Sequence, residues 1–366
     1  TTQDTPARFN FDDITYTKPG TYIYDINEII PSNGILGISY DSTIYRVTVT
    51  VTDDHEGHLT AAASMQNLSD KSTAELATFT NTFAAKDETL VLEAIKQFVD
   101  KGGNALTQTS GQFAFKLDKS QVDENNNQLS ADHDPPMPAS ADAASNALGR
   151  VTYVLNYNST RDHAKTYYYQ LSEVNEGLKN ITYSNERYLI KVTFTVETED
   201  DEAALQAHPT YYKWDDAHKW VHLDQQDSES GMTFTNTFTG TTTAKLSIGK
   251  ILAGRDWMEG DTFTFTLIAK GNAPMPEGEN ANKLTITNES NKVMDDERLG
   301  SFGDITFTQP GTYEYTISED TVTLPGFKNH PGDITATVTV TRNGNELTST
   351  VSYKDADGKV NEAGYG

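Results

Sequence analysis

The chain has 366 residues, room for two or three domains at roughly 100–200 residues each. Its 53 acidic and 28 basic residues leave a net charge of -25, which argues against nucleic acid and anionic membrane surfaces as partners. It has no cysteine, hence no disulfide or thiol chemistry, and no apolar run near the ~20 residues that span a bilayer.

In chain order, the elements are almost all period-2 strands. "PGTYIYDINE" (19–28) and "YRVTVTVTDD" (45–54) alternate apolar and polar residues. "DKSTAELA" (70–77) is the best helical candidate, short and weak. "FTNTF" follows at 79–83. "LEAIKQFVDKGGNALTQTSGQFAFKL" (92–117) supplies a lysine strand and then a paired-Phe strand. Stretch 121–147 is polar and proline-bearing, which predicts a long exposed loop. "AKTYYYQLSE" ends at Glu173, "KVTFTVETED" covers 191–200, and a second "FTNTF" covers 234–238. Then come "LSIGKILAGRDWMEGDTFTFTL" (246–267), "PGTYEYTISE" (310–319) and "DITATVTVTR" (333–342). The fold class is all-β.

These elements repeat. Glu28 precedes Glu173 by 145 residues, and Glu173 precedes Glu319 by 146. Asn81 and Asn236 lie 155 apart, and Lys96 and Lys250 lie 154 apart. Each unit therefore runs lysine strand, paired-Phe strand, Tyr-rich strand ending in Glu, Thr/Val strand, Asn strand. This order predicts one complete domain at 85–239. Residues 1–84 form a partial domain without its first, lysine strand. Residues 240–366 form one without its last, asparagine strand. Neither a leader peptide nor a sorting tail is legible at the ends, so the chain reads as a mature segment with its addresses outside it.

Side-chain parity turns the repeat into chemistry. Alternate residues of a strand share a face. Leu90, Leu92, Ala94, Lys96 and Phe98 form one row, Tyr167, Tyr169, Leu171 and Glu173 another, and Phe234, Asn236 and Phe238 a third. Each apolar row carries one inward polar residue. Burial disfavours charge, lowering the pKa of the lysine and raising that of the glutamate. A neutral amine is a nucleophile. A protonated acid can hydrogen-bond the carboxamide oxygen, making its carbon more electrophilic, and shuttle protons. Lys96 as nucleophile, Glu173 as acid/base and Asn236 as electrophile would yield a Lys–Asn isopeptide bond with loss of ammonia. Glu28 with Asn81, and Lys250 with Glu319, are incomplete sets expected not to react. Lys101 is a rival nucleophile.

The lysine strand, the "GTYxYxxxE" strand and the "FTNTF" strand together resemble the isopeptide-linkage domains of Gram-positive pilins and surface adhesins. The resemblance implies tandem immunoglobulin-like (CnaB-type) β-sandwich domains in an elongated array. It also implies an autocatalytic Lys–Asn bond assisted by Glu, and an extracellular, cell-wall-anchored surface protein whose anchor lies outside this segment. The implied partners are other domains or subunits of a surface fibre. Such a protein is no turnover enzyme and needs no cofactor. The alternative function is an adhesive module that binds host glycan or matrix protein through loops 121–147 and 208–223.

Other motifs carry less. "HPTYYKWDDAHKW" (208–220) aligns with "TSTVSYKDADGKV" (348–360), which favours a hairpin over a glycan patch on Trp214 and Trp220. "DADG" (355–358) lacks the final acidic ligand of a calcium loop and predicts a tight turn. The eight histidines show no ligand spacing, so no metal is expected. No nucleophile elbow, phosphate loop or dinucleotide fingerprint is present.

Overall fold

A computed structural model of the protein describes residues 7–224, 231–322, 326–329 and 332–361. Among these residues it contains 27 strands and one helix of four residues. The chain divides into two compact units. One gathers residues 1–90, 155–167 and 192–209; the other gathers 91–154, 168–191 and 210–366.

In the first unit, Gly20–Asn27, Ile44–Asp53, Leu59–Asn67 and Thr73–Ala74 form an antiparallel sheet in that order. A short ribbon pairs Ile38–Ser39 with Thr82–Phe83. The inner row of Gly20–Asn27 is only half-buried: Tyr22, Tyr24 and Ile26 keep partial exposure. No helix forms at 70–77. The side chain of Asp70 accepts hydrogen bonds from the backbone and hydroxyl of Ser72, and Thr73–Ala74 pairs with Met65 and Gln66. A local side-chain cap and a sheet edge outcompete a short helix that has no apolar stripe to bury. The helix that does form, Ser159–Asp162, is N-capped by Asn158.

The middle repeat forms a sandwich whose core residues named below belong to the second unit. One sheet orders Arg150–Tyr157, Glu88–Val99, Thr233–Phe238 and Ile181–Thr182. The facing sheet orders Trp220–His222, Glu202–Trp214, Arg187–Glu199, Tyr167–Val174, Ala114–Lys119 and Asp142–Ala144. Between them lie Leu92, Phe98, Phe113, Phe115, Leu117, Tyr169, Leu171, Phe234 and Phe238, none more than 2% exposed. Phe115 meets Phe234 edge-on at 5.1 Å, and Tyr188 meets Phe234 at 5.0 Å. Rings from both sheets interdigitate, as in other sandwich cores.

Segment 121–147 is less open than its composition predicts. Asp142–Ala144 joins the sheet beside Ala114–Lys119, and the Pro136 carbonyl accepts a hydrogen bond from the Tyr169 hydroxyl.

The third repeat builds its own six-stranded sheet: Lys283–Thr287, Thr262–Ala269, Gly311–Glu319, Ile334–Asn343, Glu346–Lys354 and Val360–Asn361. Its lysine strand, Ser247–Ile251, pairs instead with Glu297–Ser301.

Both aligned Asp-rich segments are hairpin turns of one design. The amide of Asp215 donates to the Lys219 carbonyl, and the Asp215 carboxylate accepts from the Lys219 amide. Asp355 and Lys359 repeat both bonds. The left-handed position is His218 in one turn and Gly358 in the other.

Candidate functional site

The alternation of Glu88–Val99 buries Leu92, Ala94, Lys96 and Phe98 in one row and turns Glu93 and Gln97 outward. Lys96 is thus delivered to the core by strand geometry alone. Thr233–Phe238 pairs with that strand in parallel, setting Phe234 opposite Lys96 and Asn236 opposite Phe98. Glu173 reaches in from the other sheet, where it sits opposite Phe115.

The three side chains meet. Lys96 Nζ lies 2.8 Å from both carboxylate oxygens of Glu173. Asn236 Nδ2 donates to Glu173 Oε1 at 2.7 Å. The side chains of Lys96 and Glu173 are 0% and 1% exposed, and Asn236 is fully buried. Lys96 Nζ stands over the Phe113 ring, 4.7 Å from its centroid, with Phe115 at 5.9 Å. This apolar wall withholds water.

Electrostatics follow from that wall. Burial lowers the Lys96 pKa to about 8, even though the Glu173 carboxylate pulls the other way. Burial raises the Glu173 pKa against the opposing pull of Lys96 and the hydrogen bond from Asn236. Both shifts favour a neutral amine beside a protonated acid, because desolvating two ions costs several kcal/mol each.

A fourth group completes the arrangement. The backbone amide of Ser184 donates to Asn236 Oδ1 at 2.7 Å, so the donor on the carboxamide oxygen is main chain and not the expected Glu173, which faces Nδ2. The Ser184 amide polarises the carboxamide and stands where negative charge would grow if the carbon were attacked. Tyr188 braces the asparagine strand, its hydroxyl donating to the Thr233 carbonyl at 2.6 Å. Sequence reasoning missed both. The Ser184 donor is main chain, so no side chain advertises it. Tyr188 had a signal: "TYSNERY" (182–188) aligns with "SYDSTIY" (39–45), and Tyr45 likewise donates to the Thr78 carbonyl.

The other candidates fall as follows. Lys101 is exposed in the turn after the lysine strand. Lys250 Nζ lies 2.7 Å from Glu319 Oε1 and 4.7 Å from the Phe263 centroid, the environment of Lys96 repeated. In the first unit, Asn81 Nδ2 donates to Glu28 Oε1 at 2.7 Å. Trp214 and Trp220 meet edge-on at 4.7 Å, Arg187 covers the Trp214 ring, and Trp220 is buried against Tyr168 and Leu189. No cluster of metal-ligating side chains occurs among the described residues.

The fold and site define a class: an all-β protein of repeated sandwich units in which a buried lysine, glutamate and asparagine share one hydrogen-bonded set. The chain belongs to the FctA family, the Spy0128-like isopeptide-containing domain, whose sequence profile matches residues 1–84, 92–239 and 246–365. It is similar in structure to the major pilin protein T-13 from Streptococcus pyogenes, at 18% identity and a TM-score of 0.28, covering 77% of this chain and 96% of that one. A second Streptococcus pyogenes major pilin matches at 17% identity and 0.29, covering 74% and 92%. A streptococcal ancillary pilin matches at 13% and 0.18, covering 84% and 71%. No curated protein sequence matches.

Proposed function

We propose that this chain is a structural, pilin-like segment of a cell-surface stalk, and that its middle repeat locks itself with one intramolecular bond between Lys96 and Asn236. The observation that carries the reading is the fully buried set of amine, acid and carboxamide, with a backbone amide on the carboxamide oxygen.

The chemistry balances without a co-reactant. Neutral Lys96 Nζ attacks Asn236 Cγ while the Ser184 amide holds the developing oxyanion. Glu173, protonated at the outset, gives its proton to Nδ2 and is restored by the proton that Nζ loses. The Cγ–Nδ2 bond breaks, ammonia leaves, and a secondary amide remains. Effective molarities of order 10⁵–10⁸ M for well-held groups supply the drive. The event happens once per molecule, so the chain is no turnover enzyme.

The consequence is mechanical. The bond joins the first and last long strands of residues 85–239, which we read as the complete domain, with incomplete sets on either side in 1–84 and 240–366. Tension applied outside these strands would pass through a covalent bond and bypass the sandwich between them. Closing a loop of about 140 residues would stabilise the domain by roughly 5 kcal/mol in the chain-entropy account. Unlike a disulfide, the bond resists reduction, which suits a cysteine-free surface protein. The partners on this reading are neighbouring domains or subunits of a fibre. The adhesive alternative has less support, since the tryptophans it would use are occupied by Arg187 and by each other.

Proteolytic digestion under denaturing conditions tests the proposal. It should release a branched peptide joining Lys96 to Asn236, absent from Glu173→Ala. Two linear peptides in place of the branched one would refute it.

A further inference from the structure

Within the second unit, the hairpin joining Ile334–Asn343 to Glu346–Lys354 ends against the middle repeat, on both sides of the Lys96–Asn236 pair. Arg342 meets the lysine side. Its guanidinium carbon lies 5.3 Å from the Phe98 centroid, and Nη2 donates to the Thr107 carbonyl at 2.7 Å and to the Thr107 hydroxyl at 3.0 Å. Asn345 meets the asparagine side, where its carbonyl accepts from Asn180 Nδ2 at 2.8 Å. Lys179 adds an ion pair to Glu346 at 2.8 Å. In the turn, Gly344 adopts φ +58° and its carbonyl accepts from Arg342 Nη1 at 2.9 Å, which holds the guanidinium in its docking geometry.

These contacts lie one step from the reacting groups. Phe98, 2% exposed, packs edge-on at 5.3 Å against Phe113, the ring beneath Lys96 Nζ. Thr107 sits between Leu106, whose amide donates to the Phe98 carbonyl, and Gln108, whose side chain donates to the Lys96 carbonyl. Arg342 thus covers the aromatic wall from outside and pins the strap that holds the lysine strand. Across the site, the Asn180 carbonyl accepts from the Thr239 amide. The next two residues, Ile181–Thr182, pair with Phe238 and Thr237 before the chain reaches the Ser184 amide on Asn236.

We propose that Arg342 is a positioning residue for bond formation in the middle repeat, and that the docked 342–346 hairpin of the third repeat is needed for Lys96 and Asn236 to close on each other at full rate. The inference rests on the Lys96–Asn236 chemistry proposed above. Reaction between held groups is sensitive to placement: a shift of about 1 Å costs about 10²-fold. Water admitted at Phe98 would also reach the ring that shields Lys96 and favour the charged, unreactive amine. The consequence is an order of events. Domains fold as units during synthesis from the N-terminus, so the middle repeat is made before the hairpin exists. Its bond then sets at full rate only after the third repeat has folded and docked.

Cell-free synthesis of the full chain, stopped with denaturant at intervals, gives the bonded fraction by intact mass. Arg342→Ala should slow bonding by about tenfold. Arg342→Lys, which keeps a cation over Phe98 and a donor for Thr107, should recover most of the rate. Hydrogen exchange at 311–319 and 334–354 reports whether the third repeat is folded in each variant. Slow bonding in Arg342→Ala with that sheet protected as in the wild type supports the inference. Wild-type kinetics in Arg342→Ala overturn it, and so does an Arg342→Lys chain, still folded, that is no faster than Arg342→Ala. If Arg342→Ala loses protection in the third repeat, Asn180→Gly decides. It removes the other grip from the middle repeat's side, and glycine keeps the φ of +60° found there. Slowed bonding in Asn180→Gly supports the inference, and a wild-type rate overturns it. A wild-type chain that never loses ammonia overturns the Lys96–Asn236 chemistry and this inference together. A wild-type chain that bonds while the variants keep pace overturns this inference alone.

Discussion

Lys96 is a base placed where its charged form is disfavoured, and that placement has a pH signature. Its folded pKa, about 8, lies below the ordinary 10.5, so between these values the unfolded chain binds more protons than the folded one. Stability therefore rises with pH across that window for as long as Lys96 remains an amine. Once the nitrogen is an amide it no longer titrates. An Asn236→Ala variant, unable to form the bond, should thus be less stable than the bonded protein, and the gap should narrow as pH rises from about 8 to 10.5. Denaturant unfolding across that range measures it; a gap constant with pH would contradict the burial assigned to Lys96. At this scale the sequence was informative because a residue's parity on a strand fixes its face. Lys96, Glu173 and Asn236 could each be placed in an apolar row by counting. The Ser184 amide could not, since every residue has one and only tertiary structure aims it.

Each strand positions its functional side chain through contacts that have nothing to do with catalysis. The lysine strand is held at Lys96 by Gly149, whose carbonyl accepts from the Lys96 amide at 2.6 Å. Gly149 has φ +80°, and a Cβ there would stand 2.2 Å from the Lys96 carbonyl oxygen. Gly149→Ala should therefore combine backbone strain with overpacking, costing about 1–3 kcal/mol, and should leave part of the chain unbonded. Denaturant titration and the fraction of bonded protein check both effects; wild-type values for each would show that the strand is fixed elsewhere. Element types were legible where alternation was long, as in Ile44–Asp53 or Arg187–Glu199. They were misread at 70–77, where a few helix-favouring residues were decided by the Asp70 cap and a sheet edge. The parallel pairing of Glu88–Val99 with Thr233–Phe238 was not legible either, because pairing partners so distant in sequence are chosen by the core they jointly enclose.

Over the whole molecule, three repeats carry related side-chain sets, and among the described residues the middle one brings lysine, glutamate and asparagine together. Lys96, Glu173 and Asn236 form the complete set; the first repeat presents Glu28 and Asn81, and the third presents Lys250 and Glu319. The repeat spacing made this uneven distribution visible in the sequence. The account therefore predicts a number for the intact chain. Under denaturing conditions, its mass should fall short of the sequence mass by one ammonia, roughly 17 Da, and the deficit should vanish in Glu173→Ala. A mass equal to that of the sequence, or a deficit that survives Glu173→Ala, would contradict the central claim that the buried triad closes on itself.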